Sequence, residues 1–424
     1  MDVSYLPETL VDQNPWWKSP FTLDYRPRAV LPEVLKILDR RLGVALTGLR
    51  RVGKTTLLHQ VVMHYLESGL DPRRAFYFSF DEFRNASFRE LLREYERLTG
   101  IDLGNGPGLI AFDEVQKHPG WENELKALYD RFKDRVRFVV SGSESLFLRR
   151  GMKESLAGRL IDLRVEPLTF REYLLFRGTP VEPVPLHEAE LRKQWPVYRR
   201  TLGLPQLCLG DPPDRDLVRR LVHEGIVERV LYRDLRQVVG NVDVDALETL
   251  LHLITEEPGQ VLEVSALSRE LGVARRTVAN YLWYLEASFL IRKLYNYSAS
   301  QRKAERRLKR YYPVLASVSL LFRDDSDARA RVLEGVSVNG LGAQFFWLDR
   351  YKHEVDIVLP GRPPLPVEVK SGRVETRGLE AFLRRFHATH GYVITSEREE
   401  TLQVRGVTID MVPAYKYLLH PPVP

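Results

Sequence analysis

Gly43-Val-Ala-Leu-Thr-Gly48-Leu49-Arg50-Arg51-Val52-Gly53-Lys54-Thr55-Thr56 decides how the N-terminal third of this 424-residue chain is read. Residues 43–47 are a short apolar run of strand character, and a helical pattern extends from Thr55 to Glu67. Between them lies Gly-x-x-x-x-Gly-Lys-Thr, and strand, glycine loop, helix is the context a phosphate-binding loop requires. The glycines let backbone N–H groups turn inward around phosphates. The helix N-terminus adds its positive end. The loop therefore predicts nucleotide contacts from Gly48 through Thr56, with Lys54 reaching the β- and γ-phosphates and Thr55 ligating Mg²⁺. The side chains of Arg50 and Arg51 are expected to face outward, because the backbone does the cradling.

Working outward, Gly108-Leu-Ile-Ala-Phe112 is an apolar strand that ends in Asp113-Glu114. A carboxylate at that position beside a phosphate loop can hold Mg²⁺, which fits Asp113, and Glu114 then stands where a hydrolytic water is polarised. The next strand ends in Ser141-Gly-Ser143. Ser143 or Ser141 is a candidate for sensing the γ-phosphate, and a plain strand-ending turn is the alternative. Arg159 is a candidate to reach nucleotide in its own or a neighbouring subunit, against an exposed structural arginine. Strands at 43–47, 74–80, 109–113, 136–141 and 159–165 alternate with helices near 31–40, 55–67, 88–98 and 122–132. That rhythm predicts an α/β domain, a parallel sheet covered on both faces, over residues 31–178. Residues 1–30 are expected to be an irregular arm, with Trp16 and Trp17 as packing anchors or, alternatively, base contacts.

Taken together, Gly48–Thr56, Ala111-Phe-Asp-Glu-Val-Gln116, Ser141-Gly-Ser143, Leu156-Ala-Gly-Arg159 and Pro167-Leu-Thr-Phe-Arg-Glu-Tyr-Leu174 resemble the AAA-superfamily P-loop ATPases of archaea and bacteria that carry a C-terminal domain of unknown function. The resemblance implies ATP binding with Mg²⁺, and hydrolysis. It supplies no substrate.

A proline-rich stretch, 178–185, marks a linker to a mostly helical region, 186–312. Within it, Ser265–Glu286 reads as helix, turn at Gly272, helix. Arg275, Arg276, Thr277 and Asn280 then stand at the start of the second helix, where a recognition helix meets DNA. A basic run, 302–310, follows and offers phosphate contacts. Packing between domains is the alternative use of such a unit, and it is similar to the winged-helix region of the same ATPases.

Residues 313–424 return to α/β alternation. Glu334 lies on a helical stretch, Asp356 in Glu354-Val-Asp-Ile-Val-Leu359, and Glu368 and Lys370 in Leu365-Pro-Val-Glu-Val-Lys370. Residues two apart on a strand share a face, and pairing the two strands as a hairpin brings Asp356 alongside. Acids so grouped suit a hard cation such as Mg²⁺, and a lysine beside them can orient or deprotonate water. The pattern resembles the restriction-endonuclease-like core found also in archaeal Holliday junction resolvases. That resemblance implies metal ligation by Asp356 and Glu368, action of Lys370 on the nucleophile, and Glu334 completing the acidic cluster. A retained fold without activity is the alternative.

A net charge of +6 and a pI of about 9.2 are compatible with nucleic acid or an acidic partner. The single cysteine, Cys208, excludes an intrachain disulfide and a cysteine-based metal site. The N-terminus lacks the basic start and apolar core of a signal peptide, and no apolar run reaches ~20 residues, so a cytoplasmic protein with no membrane association is expected. The sequence thus predicts an ATPase coupled to DNA binding or processing, with self-association as a further expectation because Arg159 makes most sense at a subunit interface. Two alternatives stand beside it. One is a metal-dependent DNA nuclease switched by ATP, and the other is a nucleotide-dependent regulator that binds only proteins.

Overall fold

The computed structural model describes residues 5–81, 83, 86–142, 156–240, 242–298 and 308–422. They divide into two compact units at Glu166/Pro167.

The first unit is a five-stranded sheet in the order β2-β3-β4-β1-β5, with every pairing parallel. Its strands are β1 (Gly43–Thr47), β2 (Ala75–Ser79), β3 (Gly108–Asp113), β4 (Val136–Ser141) and β5 (Leu160–Arg164). β1 and β3 are buried along their whole length, which is why they read as unbroken apolar runs rather than alternating ones. The helices are α1 (Leu6–Gln13), α2 (Leu31–Asp39), α3 (Lys54–Glu67), α4 (Phe88–Thr99) and α5 (Trp121–Phe132). α4 starts at a capping box in which Ser87 and Glu90 satisfy each other's backbone N–H. Because the strands are parallel, the ends of β1, β3 and β4 open on one rim, and the phosphate loop, Asp113 and Ser141 meet there.

The arm before residue 30 differs from the irregular segment expected. Residues 6–13 form a helix whose first turn accepts Pro7, since the missing N–H would be unpaired there anyway. This arm also covers the open edge of β2. Trp16 and Trp17 both donate their indole N–H to Ala75 O at 2.9 Å. Asn14 donates to Tyr77 O at 2.8 Å and accepts from Tyr77 N at 2.7 Å, while Gln13 accepts from Ser79 N at 2.9 Å. Residues 75, 77 and 79 point their backbone groups outward from the edge, and the arm pairs each of them, removing a site for stray strand pairing. Both tryptophans are packing anchors here.

The second unit carries a nine-stranded sheet in the order β13-β14-β12-β11-β10-β9-β7-β8-β6. The strands are β6 (Val261–Leu262), β7 (Ile291–Asn296), β8 (Lys309–Pro313), β9 (Phe345–Leu348), β10 (Glu354–Leu359), β11 (Leu365–Lys370), β12 (His390–Thr395), β13 (Glu400–Val404) and β14 (Val407–Pro413). The main helices are α6 (Phe170–Phe176), α7 (Val184–Thr201), α8 (Arg215–Val222), α9 (Val244–Glu256), α10 (Val264–Glu270), α11 (Arg275–Ala287), α12 (Ser326–Gly340) and α13 (Arg377–Phe386). β10 and β11 pair antiparallel, as the hairpin reading required, and β11 runs parallel to β12.

Two boundaries drawn from sequence differ from this division. α6 precedes the proline-rich stretch, yet its Phe170, Tyr173 and Leu174 are buried with Trp195 and Tyr198 of α7, so the chain changes unit at 166/167 rather than near 178. The boundary expected at 312/313 falls inside β8, and β7 pairs with β9 across it. The helical middle and the C-terminal α/β region therefore share one sheet. Composition marks a linker only where chain leaves a core, and neither position does.

Candidate functional site

Gly48 sits at φ +144° and Gly53 at φ +94°, and α3 begins at Lys54. At Gly48 a second constraint acts: a Cβ would lie 2.3 Å from the backbone O of Val165. Lys54 is buried and donates its ammonium to Gly48 O at 2.8 Å and Leu49 O at 3.0 Å, folded across the loop it belongs to. Thr55 Oγ1 donates to Asp113 Oδ2 at 2.7 Å, so the first hydroxyl of α3 and the last carboxylate of β3 stand side by side. Tyr77 adds a hydrogen bond to the same oxygen at 3.2 Å. Burial, with Asp113 beside it, pushes the Tyr77 hydroxyl far above its ordinary value, so it remains a donor. Ser141 donates to the other carboxylate oxygen of Asp113 and accepts from Glu114 N.

Glu114 adopts φ +54°, unusual for a residue with a side chain and costly by about 1 kcal/mol. The left-handed turn swings its carboxylate off the strand direction, where Gln116 Nε2 donates to it at 2.6 Å and Lys117 Nζ lies 3.8 Å away. Burial raises the Glu114 carboxyl above the ordinary carboxylate range, Asp113 adds to that, and Lys54 and Arg50 oppose it.

The sequence reading missed Arg28. This buried guanidinium donates to Val52 O at 2.6 Å and to Glu166 O at 2.8 Å, bracing the phosphate loop against the segment that follows β5. Gln60 of α3 donates to Arg26 O at 2.9 Å and holds the same stretch. Carbonyl partners carry no residue identity, so no motif marks such a brace. Arg159 makes a two-point contact with Asp130 on α5, at 2.9 Å from each nitrogen, and is not drawn into the cluster around Lys54. Ser143 lies outside the described residues, while Ser141 is within the cluster.

The second unit brings Glu334, Asp356, Glu368 and Lys370 together. Asp356 and Glu368 are 4% and 6% exposed. Lys370 Nζ lies 2.6 Å from Glu368 and 3.8 Å from Asp356. Asp356 Oδ2 accepts from Val369 N at 2.9 Å, which fixes β10 against β11 at that point. Three residues that the sequence reading did not assign to this cluster complete it, and one of them, Arg310, ends the basic run offered for phosphate contacts but is buried here. Arg310, 7% exposed, ion-pairs with Glu354 and lies 3.5 Å from Asp356 and 4.0 Å from Glu334. Tyr312 donates to Glu334 at 2.6 Å. The signal was the strand alternation of Lys309-Arg-Tyr-Tyr-Pro313, which puts Arg310 and Tyr312 on one face.

Four carboxylates thus face two cations. Burial raises both Glu334 and Glu368, and neighbouring Asp356 raises them further. Burial works to lower the Lys370 ammonium, but Asp356 and Glu368 outweigh it and hold it charged. Glu368 Oε2 is buried and has no hydrogen-bond partner among the described residues. That oxygen, with Asp356, offers two hard donors, a set Mg²⁺ accepts when water supplies the rest. Among the described residues no three His, Cys, Asp or Glu side chains are grouped closely enough to form a metal cage by themselves.

In the middle region Gly272 takes φ +66° between α10 and α11, as the turn requires. Val278 and Leu282 are buried, Arg275, Arg276 and Asn280 are exposed, and Thr277 is half-buried. The described residues contain no helix long and apolar enough to cross a membrane.

Residues 40–174 match the family model described as an AAA domain, and residues 203–321 match a domain of unknown function, DUF8612. An uncharacterised protein of Methanocaldococcus jannaschii is 27% identical over 411 residues, covering 87% of this chain and 83% of its own. An uncharacterised protein of Mycobacterium tuberculosis is 27% identical over 346 residues, covering 77% and 70% respectively. Among solved structures, the Cdc6p protein of Pyrobaculum aerophilum is similar at 14% identity with a TM-score of 0.32, covering 76% of this chain and 97% of its own. The match to an AAA domain and the parallel sheet with its glycine loop after β1 support a P-loop AAA-type nucleotide-binding domain in the first unit.

Proposed function

We propose that this protein is a Mg²⁺-dependent ATPase whose nucleotide cycle is coupled to DNA. The observation that carries the first half is the convergence of Lys54, Thr55, Asp113 and Glu114 on one rim of the sheet. The loop from Gly48 to Thr56 wraps the phosphates with its N–H groups, and the Lys54 ammonium exchanges the carbonyls of Gly48 and Leu49 for phosphate oxygens. Thr55 and Asp113 would hold Mg²⁺, which would supply positive charge to offset that of the phosphates. Glu114 orients the attacking water and accepts its proton, a task that a carboxylate of raised basicity performs better. Ser141, which donates to the Asp113 carboxylate and accepts from the Glu114 backbone N–H, supports their positions, and of the two serines considered for sensing the γ-phosphate it is the one among the described residues.

DNA coupling is supported by the exposed Arg275, Arg276 and Asn280 at the start of α11, with Thr277 beside them. α9, β6, α10, α11 and the β7–β8 hairpin follow in the order of a winged helix. Turnover by purified protein, with and without DNA at two salt concentrations, tests the whole reading. Stimulation that fades at high salt is expected, because phosphate contacts respond steeply to ionic strength. Turnover unaltered by Lys54→Ala, or indifferent to DNA, refutes the corresponding half.

A second reading, a metal-dependent nuclease in the C-terminal region, is favoured by the orphaned Glu368 oxygen beside Asp356. The order α12, β9, β10, β11, α13, β12 suits a restriction-endonuclease-like core. Asp356 and Glu368 would hold the cation. Lys370, held charged, would orient the nucleophile rather than deprotonate it. Cleavage of branched or duplex DNA with Mn²⁺ that is lost in Asp356→Asn is the result this reading requires.

A further inference from the structure

The second unit contains a cleft of about 1090 Å³, reached by Arg275 at the start of α11, Lys309 and Tyr311 of β8, Arg350 and Tyr351 of the β9–β10 turn, and Arg385 of α13. We infer that this cleft is a binding site for single-stranded nucleic acid. The inference deepens the DNA-coupled reading by naming the ligand class and the surface that takes it.

Three observations converge. The first is charge. Four cationic side chains reach the cleft against two acids, Glu263 and Asp349. The Asp349 carboxylate is already engaged, accepting the backbone N–H of Tyr351 at 2.7 Å and of His353 at 3.0 Å, so it shapes the turn. Arg275, Arg350 and Arg385 are exposed at the rim, where an anionic backbone would pass.

The second is the aromatic surface. Tyr351 is 65% exposed at the tip of a turn, and the Arg350 guanidinium carbon lies 4.6 Å from its ring centroid. A large ring left in water beside an arginine is a platform for a base, whose flat face can stack on it. Trp347, 1% exposed, and Tyr311, 6% exposed, form the apolar floor. An acidic peptide would answer the cations but leave the Tyr351 face without a planar partner.

The third is size and place. The volume accommodates roughly a few nucleotides and not a duplex. On β8, Lys309 and Tyr311 line the cleft, while the alternate residues Arg310 and Tyr312 reach Asp356 and Glu334. The cleft and the acidic cluster therefore occupy opposite faces of one strand.

The test is fluorescence anisotropy of the full chain with a labelled short oligothymidylate, the matching duplex, and a labelled polyglutamate. Oligothymidylate is expected to bind more tightly than either of the others. Tyr351→Ala should weaken it by at least about 5-fold, with Tyr351→Phe retaining the affinity, because stacking needs the ring and not the hydroxyl. Arg385→Gln should lower the slope of log affinity against log salt by about 0.7. No oligothymidylate binding, binding untouched by Tyr351→Ala, or equal binding of duplex or polyglutamate overturns the proposal. Basal turnover without DNA is recorded on the same samples. Absent turnover with Tyr351-dependent binding intact sinks the ATPase reading alone, and the reverse sinks the cleft alone.

Discussion

Thr55 and Asp113, 58 residues apart in the chain, are joined by a 2.7 Å hydrogen bond between the start of α3 and the end of β3. A hydroxyl and a carboxylate paired in this way are the two protein groups a nucleotide-bound Mg²⁺ needs. Thr55→Ala is expected to lower turnover by about 100-fold, the scale on which one preorganised electrostatic contact acts. Turnover across a Mg²⁺ titration checks this, and the variant should respond least.

Arg28 ties Val52 to Glu166, so Arg28→Ala removes a charged donor from the buried Val52 carbonyl and from the part-buried Glu166 carbonyl. A loss of about 2–4 kcal/mol is expected, since each bond comes from a charged group. Arg28→Lys should restore little of it, because a single ammonium cannot span both acceptors. Chemical denaturation with nucleotide absent measures the effect, and ATP affinity should fall with it.

Arg310 is the cation among Glu334, Glu354 and Asp356, and its loss leaves a buried acidic excess. Arg310→Met is expected to cost about 3 kcal/mol near pH 8. Glu334 and Glu368 are raised in the folded state, so the fold keeps protons that the unfolded chain releases. Stability from that source is full below the ordinary value of 4.5 and falls as pH rises through the raised values. Arg310 opposes the rise at Glu334, so the variant raises that carboxyl further, and its deficit should shrink between pH 8 and pH 6 as that carboxyl takes up a proton. Thermal unfolding at both values reads the difference.

Much of the candidate nucleotide site was legible because its parts are local. Gly48 to Thr55 is one loop, Asp113-Glu114 is one strand end, and buried parallel strands announce themselves as apolar runs. The acidic cluster was half legible: strand periodicity placed Asp356, Glu368 and Lys370, but nothing local tied in Arg310 or Tyr312, although alternation puts them on one face. Those come from a strand 46 and 22 residues from the acids they meet, Asp356 and Glu334. Arg28 was invisible, since it recognises carbonyl groups. α1 was hidden by its length of 8 residues. The sheet running through residue 312 escaped because local composition does not reveal which strand a strand will pair with.

Glu114 is raised by burial, so its working form is lost earlier on acidification than that of an exposed glutamate. Turnover is expected to fall as pH drops, with its acid-side midpoint above 4.5, the ordinary glutamate value. Single-turnover rates across the acid range locate the midpoint.

The most direct measurement compares nucleotide binding and hydrolysis in Glu114→Gln and the parent protein. The substitution keeps the shape and removes the proton acceptor, so ATP affinity should stay within a few-fold while turnover falls by at least about 100-fold, the lower end of what one general base contributes. Turnover equal to the parent would contradict the account, placing any hydrolysis elsewhere than at the end of β3.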